Sequence, residues 1–488
     1  MRLPSSPKLL SSVLLPLLVS GCALGPNYEA PQPNIASGWT GEAQEGAVTS
    51  GPVTTGAWWK DLNDPLLDAL VDDMLTRNLD LREAQARLAE ARANNAAVRG
   101  GSLPQVSTST SANQVVLSEN GQLPIGQIPG VSRDFGLFDV GFDASWELDL
   151  WGRQARQREA ADARTQAAGL SVEATRLQLI AELARAYVTM RLAQSDAASA
   201  RESLAQRQKL AELVGLLGSA GEVGQIEVNR AQGEAQNAAL ALTSAEASAR
   251  AAALQVARLV GAQPADLLAR LEVAGAIPAP PGAISAGLPS ELLRRRPDIL
   301  GAERELAASS ADIGVARADQ FPRLSLGLAF GQQARAVTDL FGSDSSRLQA
   351  GPSLFWPIFN GGRARAMVRA ADARAQAAAA RYDAAVIGAL ADSEAAINRY
   401  DRSLAGLSAA NAAAQREDAI YRLALQRQSA GEDDRLALAR ATLARLASTQ
   451  QRARAQASAV ESSIALHKAL GGGWNPQNQQ SEIMPQHP

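Results

Sequence analysis

Among 488 residues there is one cysteine, Cys22, and there are two histidines, His467 and His487. A lone thiol excludes any disulfide within the chain and any thiolate metal cage. The two histidines form no spaced cluster with Asp or Glu, so no metal site is expected and little remains for the commonest catalytic side chain. No enzyme and no cofactor are therefore expected. Charge of one sign is lacking too: 47 basic against 50 acidic residues leave a net of -3, which argues against a nucleic-acid partner. Aromatics are scarce at 4%. No apolar run reaches the roughly 20 residues of a membrane-spanning helix. Proline is absent from 131–263 and from 358–475, tracts far longer than loops or strands, so long helices are expected there. Alanine is abundant throughout, which suits helices packed closely through small residues.

The start of the chain is of a different kind. Arg2 and Lys8 precede a mostly apolar stretch, Leu9 to Val19, interrupted by Pro16, and small residues Ser20 and Gly21 lead to Cys22. This reads as a signal peptide over 1–21. Val19-Ser20-Gly21-Cys22 resembles a bacterial lipobox, with valine where leucine is more usual. That resemblance implies that Cys22 is acylated and heads the mature chain, and Ala23 in place of an aspartate implies the outer membrane.

Self-similarity organises the rest. REAADARTQAA at 158–168 returns as VRAADARAQAA at 368–378, and SAGE at 219–222 returns at 429–432, both 210 residues later. RGGSLPQVS around Pro104 answers ADQFPRLS around Pro322 at an offset of 218, so the first copy carries extra residues, most cheaply in a loop. The chain reads as two like halves, 22–285 and 286–474, followed by a tail at 475–488 expected to be disordered. Each half should carry two strands (about 103–117 and 136–150; about 323–333 and 347–358) and long helices (151–260; 361–470).

Leu179, Leu183, Ala186 and Met190 recur at helical spacing, with Ile180 and Tyr187 one heptad apart, suggesting a narrow coiled-coil seam. Breaks at Gly221 and Gly431 favour antiparallel helix pairs over a plain cytoskeletal coil. In FDVGFDASWELDL the period changes to two: Phe138, Val140, Phe142, Ala144, Trp146, Leu148 and Leu150 alternate with Asp139, Gly141, Asp143, Ser145, Glu147 and Asp149. Such alternation suits a half-buried soluble sheet as well as a barrel wall. Export, strands of about 10 to 13 residues and Trp146, Trp151 and Trp356 near strand ends favour the wall. Four strands cannot close a barrel, which needs about eight, so copies would have to assemble with the acidic faces toward a shared lumen.

The chain resembles the outer-membrane factors of the TolC superfamily, in the NodT-like lipoprotein subgroup of RND-type multidrug efflux systems. The likeness rests on CALGPNYEAP, WWKDLNDPLLDALV (58–71), ASWELDLWGR (144–153), GLPSELLRRRPDI (287–299), SLFWPIFNGGR (353–363) and HKALGGGW (467–474). It implies an α+β membrane protein, a homotrimer in which four strands per protomer build a 12-stranded β-barrel continued by a long antiparallel α-helical coiled-coil tunnel in the periplasm. It further implies a lipid-anchored outer-membrane channel that passively conducts drugs or other small molecules. Its implied partners are a periplasmic membrane-fusion adaptor, an inner-membrane RND-type transporter and outer-membrane lipid. The outer component of a protein (type I) secretion system and a non-channel periplasmic scaffold lipoprotein are the alternatives.

Several residues acquire expected roles. Asp139, Asp143, Glu147 and Asp149 would face the lumen. Gly152, Pro357, Gly361 and Gly362 would turn strands into helices, because proline removes a ladder donor and glycine permits a sharp redirection. In the resembling family the tunnel narrows at its periplasmic tip. The helix turns are expected near 192–200 and 397–410, which makes Asp196, Arg399, Tyr400, Asp401 and Arg402 the candidate gate. LLRRRPD is read as the end of a short helix, capped by Ser290 and ended by Pro297, with Asp298 starting the next, and GGGW as a helix terminator lacking the Lys-Ser/Thr of a phosphate loop.

Overall fold

A computed structural model describes residues 23–40, 48–49, 51, 56–118, 132–431 and 435–474. The expected signal peptide 1–21, the expected acylation site Cys22, His487 and the tail 475–488 lie outside the described residues. In chain order the elements are β1 (Val48–Thr49), α1 (Pro65–Arg77), α2 (Leu79–Gly101), β2 (Gln105–Val116), β3 (Asp134–Leu148), α3 (Arg153–Ser219), α4 (Gln225–Val260) and α5 (Pro264–Leu271). There follow β4 (Ile284–Ser285), α6 (Leu292–Arg295), α7 (Pro297–Ala318), β5 (Arg323–Ala334), β6 (Ser346–Phe355), α8 (Arg363–Ser429) and α9 (Arg435–Ala469). None of the described helices is long and apolar enough to cross a membrane.

These elements divide between two compact units. The first holds a four-stranded antiparallel sheet in the order β2-β3-β5-β6. Its register pairs Ser111 with Asp139, Asp139 with Gln333, and Gly331 with Arg347. Phe142, Phe330 and Leu348 therefore share one face, and Ser109, Gly141, Gly331 and Arg347 the other. Pro352 sits in β6, an edge strand, where a missing ladder donor is tolerated. The connection 117–133 is longer than 335–345, so additional length in the first half falls between two strands. Below the sheet, Ala160 and Ala163 of α3 pack on Ala307, Ala308 and Ala311 of α7; side chains this small let two helix backbones approach closely.

The second unit carries the large apolar core. Leu179, Ile180, Leu183, Ala184, Tyr187, Val188 and Met190 of α3 are buried with residues of α1, α4 and α5 and with Val460 and Ile464 of α9. Adjacent positions are buried in pairs, at 179/180, 183/184 and 187/188. The face is thus wider than the narrow seam expected from the heptads, because α1, α4 and α5 wrap it. The narrow alanine seam lies farther along, where Val214 of α3 and Val228, Ala235 and Ala238 of α4 are buried, edged by Arg201–Glu246 and Arg207–Glu234 ion pairs.

The expected turns at 192–200 and 397–410 do not exist. Helices α3 and α8 run straight through them for 67 residues each, about 100 Å of helical contour at 1.5 Å per residue. Residues 192–200 contain neither glycine nor proline, and a single Gly406 costs a helix only about 1 kcal/mol. The chain turns instead after Ser219, in 220–224, and after Ser429, at Ala430 and Gly431. Helix α8 starts and ends 210 residues after α3, and α9 starts 210 residues after α4.

Candidate channel wall and helix anchors

The polar face of the sheet is built from small and charged side chains: Ser107, Ser109 and Ser111 on β2; Asp139, Asp143, Ser145 and Glu147 on β3; Ser325 and Gln333 on β5; Arg347, Gln349 and Ser353 on β6. It is not simply acidic. Arg347 reaches across β5 and donates from Nε and Nη2 to both carboxylate oxygens of Asp139, at 2.9 and 2.8 Å, while Gln333 donates to Oδ2 at 2.9 Å. The reach needs the Gly331–Gly141 pair beneath it, since a Cβ on Gly141 would stand 3.2 Å from the Arg347 guanidinium. A bidentate, charge-assisted pair of this kind is the strong form of a hydrogen bond. Asp143 accepts from Ser109 Oγ at 3.0 Å.

The other face is apolar and bare. Val106, Phe142, Trp146, Leu326, Leu328, Phe330, Leu348 and Leu354 are all exposed. Leaving one such side chain in water forgoes about 1.5–3 kcal/mol, so eight on one face mark a surface made for an apolar medium. At one end of the sheet three indoles are tied to backbone carbonyls: Trp146 to Ser102 and Trp356 to Gln320 at 3.1 Å, Trp151 to Pro322 at 2.8 Å. Rings that are apolar in body and polar at the tip belong at a membrane interface.

The strand-to-helix corner is where Glu147, Asp149 and Gly152 come together. Arg153 Nε donates to Glu147 at 3.1 Å. Strand β3 stops at Leu148, so Asp149 leaves the alternation; its Oδ2 accepts from the backbone amide of Ala155 at 2.8 Å and satisfies an orphan donor of the first turn of α3. Gly152 has φ +75°, and a Cβ there would stand 2.5 Å from Ala23 Cα. At the equivalent corner Gly361 and Gly362 have φ of +61° and +83°, just after Pro357.

Two buried tyrosines anchor the long helices in the second unit. Tyr187 donates to Asp64 Oδ2 at 2.6 Å and accepts from Arg191 Nε at 3.0 Å, and Arg191 Nη1 donates to Val273 O at 2.7 Å. Asp64 also caps α1 through the amide of Leu66 at 3.0 Å. Burial first, and the Asp64 hydrogen bond second, push the Tyr187 phenol above its ordinary range. Tyr400 of α8 donates to the carbonyls of Pro281 and Gly282, the latter at 2.8 Å, and burial raises it to about 12.

The gate candidates are therefore dispersed along helices rather than gathered at a tip. Tyr400 and Asp401 are buried, Arg399 and Arg402 are exposed, and Asp196 accepts from Gln450 at 2.8 Å with Arg454 at 3.6 Å. None of them lies at a hairpin turn, because α3 and α8 continue through these positions.

Helix ends meet at two matched junctions. Asn78, between α1 and α2, donates to Leu259 O at 2.7 Å and caps α2 through the amide of Leu81 at 3.0 Å. Beside it Gly261 (φ +75°) leaves no room for a Cβ, which would lie 2.7 Å from Arg77 O. In the second half Arg296 donates to Ala469 O at 3.2 Å, and Gly471 (φ +72°) lies against Arg295 O. Two of the three arginines of LLRRRPD are thus structural: Arg295 faces Glu291 and Arg296 faces Asp298. Ser290 makes no cap, while α6 does end just before Pro297, at Arg295, and Pro297 is itself the first residue of α7. GGGW follows the end of α9, and Trp474 donates to Arg295 O at 2.6 Å.

His467 is buried against Trp58 with the rings stacked, centroids 5.1 Å apart and planes 7° apart. Burial lowers its pKa to about 4. Among the described residues no group of acids, cysteine and histidines is arranged to hold a metal.

Arg347, Gln333, Asn78, Asp64 and Tyr187 had no signal in the sequence beyond their strand or helix parity. The chain matches the family described as "Outer membrane efflux protein" over residues 70–262 and 288–472. It is 32% identical over 375 residues to nodulation protein T of Rhizobium leguminosarum bv. trifolii, covering 77% of this chain and 78% of that one. It is 30% identical to the toluene efflux pump outer membrane protein TtgF of Pseudomonas putida, covering 95% and 96%. The solved outer-membrane channel OprN superposes with a TM-score of 0.81 at 35% identity, over 93% of this chain and all of that one. The chain belongs to the outer membrane efflux protein family, among the NodT-like channels of the TolC superfamily.

Proposed function

We propose that the chain is the outer-membrane conduit of a tripartite efflux pump, passively conducting drugs or other small molecules out of the periplasm. Three copies contribute their four-stranded sheets to one closed twelve-stranded barrel, and Cys22 carries a lipid anchor. A periplasmic adaptor and an inner-membrane RND-type transporter energise the path.

The observation that carries this reading is the two-faced sheet with open edges. Its bare apolar face suits lipid, but β2 and β6 each leave a row of backbone donors and acceptors without a ladder partner in the sheet. Such groups cost several kcal/mol each in hydrocarbon, so the edges must be closed by other strands. About eight strands is the least that closes, and the resemblance favours three copies over two. Closure turns the face bearing Asp139, Asp143, Glu147 and Arg347 toward water in a lumen. The matching lengths of α3 and α8 and the two helix junctions support an internal two-fold repeat.

The test is reconstitution. Full-length protein extracted from outer membranes is expected to migrate as a heat-modifiable trimer, to have a trimer's mass by light scattering, and to open steps of conductance in a planar bilayer. A detergent-independent monomer without conductance would instead indicate a scaffold lipoprotein. Loss of the gene is expected to sensitise cells to small-molecule toxicants rather than to abolish secretion of a protein.

A further inference from the structure

The two strand-to-helix corners of the sheet unit begin alike and are finished differently. Trp146 donates to Ser102 O ahead of α3 and Trp356 to Gln320 O ahead of α8, each at 3.1 Å. Beyond its indole the first corner is covered by its own chain. Leu24 donates its amide to Trp151 O at 3.1 Å, and Ala23 lies against Gly152. Arg156 donates to Leu24 O at 3.2 Å and to Asn27 Oδ1 at 2.7 Å, while Tyr28 lines an open pocket with Ala155 and Glu159. The cations of this corner are matched, Arg153 by Glu147 and Arg156 by Glu159.

The strap 23–28 has no counterpart at the second corner among the described residues. There Ile358 and Phe359 are 84% and 91% exposed, and they follow directly on Leu354 and Trp356, which are exposed as well. The charges also differ. Shifted by 210 residues, Glu147 becomes Pro357, Ala155 becomes Arg365 and Glu159 becomes Arg369. Arg363, Arg365 and Arg369 are all exposed, and none of them meets a carboxylate among the described residues. Arg365 and Arg369 stand one turn apart on the same side of α8. On α3 the corresponding side carries Ala155 and Glu159 beside Tyr28. Unmatched cations thus adjoin bare apolar side chains at the end of the sheet where the indoles mark a membrane interface.

We infer that this second corner binds an anionic glycerophospholipid, with Arg365 and Arg369, joined by Arg363, donating to its phosphate and with its acyl chains lying over Ile358 and Phe359. A phosphodiester offers the oxygen acceptors that guanidinium forks match, and a head group without a cation of its own leaves its charge to the arginines. Free phosphate would leave Ile358 and Phe359 bare, and an uncharged lipid would leave the arginines unmatched. An amphiphile with an anionic head satisfies both. The strap that fills this place at the first corner starts beside Cys22, the proposed lipid anchor, so a free lipid takes at one corner the place that a tethered one holds near the other. The inference rests on reading the sheet as a membrane wall.

The experiment titrates full-length protein, delipidated in neutral detergent, with phosphatidylglycerol or phosphatidylcholine and reads assembly mass and bound lipid together by native mass spectrometry. The trimer is expected to hold up to one phosphatidylglycerol per chain, at least about fivefold more tightly than phosphatidylcholine, the gain of one arginine at an anionic surface. Arg365→Ala/Arg369→Glu, which gives this corner the residues of the first, is expected to abolish that preference; Arg365→Gln alone serves should the pair disturb the trimer. Arg402→Gln/Arg416→Gln, farther along α8, should keep it. A trimer that takes both lipids equally, or whose preference survives at the corner variants or falls equally with the distant pair, overturns the inference and leaves the channel standing. A wild-type trimer that takes neither lipid does the same and assigns the corner to a neighbouring copy. Ile358→Ser/Phe359→Ser is expected to release the lipid although the arginines remain, and unchanged retention would assign them to a free anion instead. A monomer that holds neither lipid overturns the channel reading as well.

Discussion

The two units of the chain place their apolar residues on opposite sides. In the helical unit Leu183, Tyr187 and Met190 are wholly enclosed, and the charges of Asp64 and Arg191 are tied to the Tyr187 hydroxyl. In the sheet unit Phe142, Leu328 and Phe330 are bare, and Asp139 and Arg347 meet on the other face. One pattern is that of a water-soluble fold and the other that of a wall between lipid and water. Hydrophobicity alone does not separate them; its direction relative to the charged groups does.

The sharpest way to break that contrast is to make like changes in both units. Leu183→Ala, at a fully buried site, is expected to cost about 2–5 kcal/mol through lost burial and the cavity left behind, read as a lower unfolding temperature of the helical signal. Leu328→Ala on the bare face should cost far less in detergent. Leu328→Arg, in mid-strand on that face, is expected to cost about 2–4 kcal/mol, but only when the sheet must enter lipid. Refolding into vesicles should fail or slow while helical content in detergent is kept. Equal sensitivity of both environments to the arginine would mean the sheet packs against protein.

A second, somewhat smaller effect sharpens the helical side. The His467 pKa is lowered by burial from an ordinary 6.5 to about 4. The unfolded chain therefore binds a proton that the fold does not accept, and the stability from neutral His467 is full above pH 6.5 and is lost as pH falls toward 4. At pH 5 the loss is about 2 kcal/mol. His467→Phe, which keeps a ring on Trp58, is expected to flatten the pH dependence of thermal unfolding between pH 6.5 and 4. An unchanged slope would assign that dependence to carboxylates elsewhere.

How far these features were legible in the sequence differs between the units for a physical reason. Strands with period-two contrast, such as Leu324 to Phe330 against Arg323 to Ala329, can be read directly because the two faces differ in chemistry. Alanine-rich helices such as 192–200 offer no such contrast, and the helix runs on where a turn was expected. Asp149 looked like another alternating acid, yet its neighbours Trp151 and Gly152 end the strand and make it a helix cap. The Asp139–Arg347 pair, 208 residues apart, follows only from the register of three strands. The buried Tyr400 and Asp401 resemble surface polar residues until α8 is seen to carry them inward.

The smallest effect separates charge from stability on the sheet itself. Arg347 and Asp139 are both partly shielded, so Arg347→Ala should cost only about 1 kcal/mol of sheet stability. On a lumen wall its consequence is larger in kind: an acid is left uncompensated beside Asp143, and the local potential becomes negative. Single channels of the variant are expected to shift toward cation selectivity, read as a change in reversal potential across a salt gradient, and Asp139→Asn added to Arg347→Ala should restore the original value. If the polar face instead lay against protein, neither substitution would move the reversal potential, and the loss of an ion pair would appear only in the unfolding temperature.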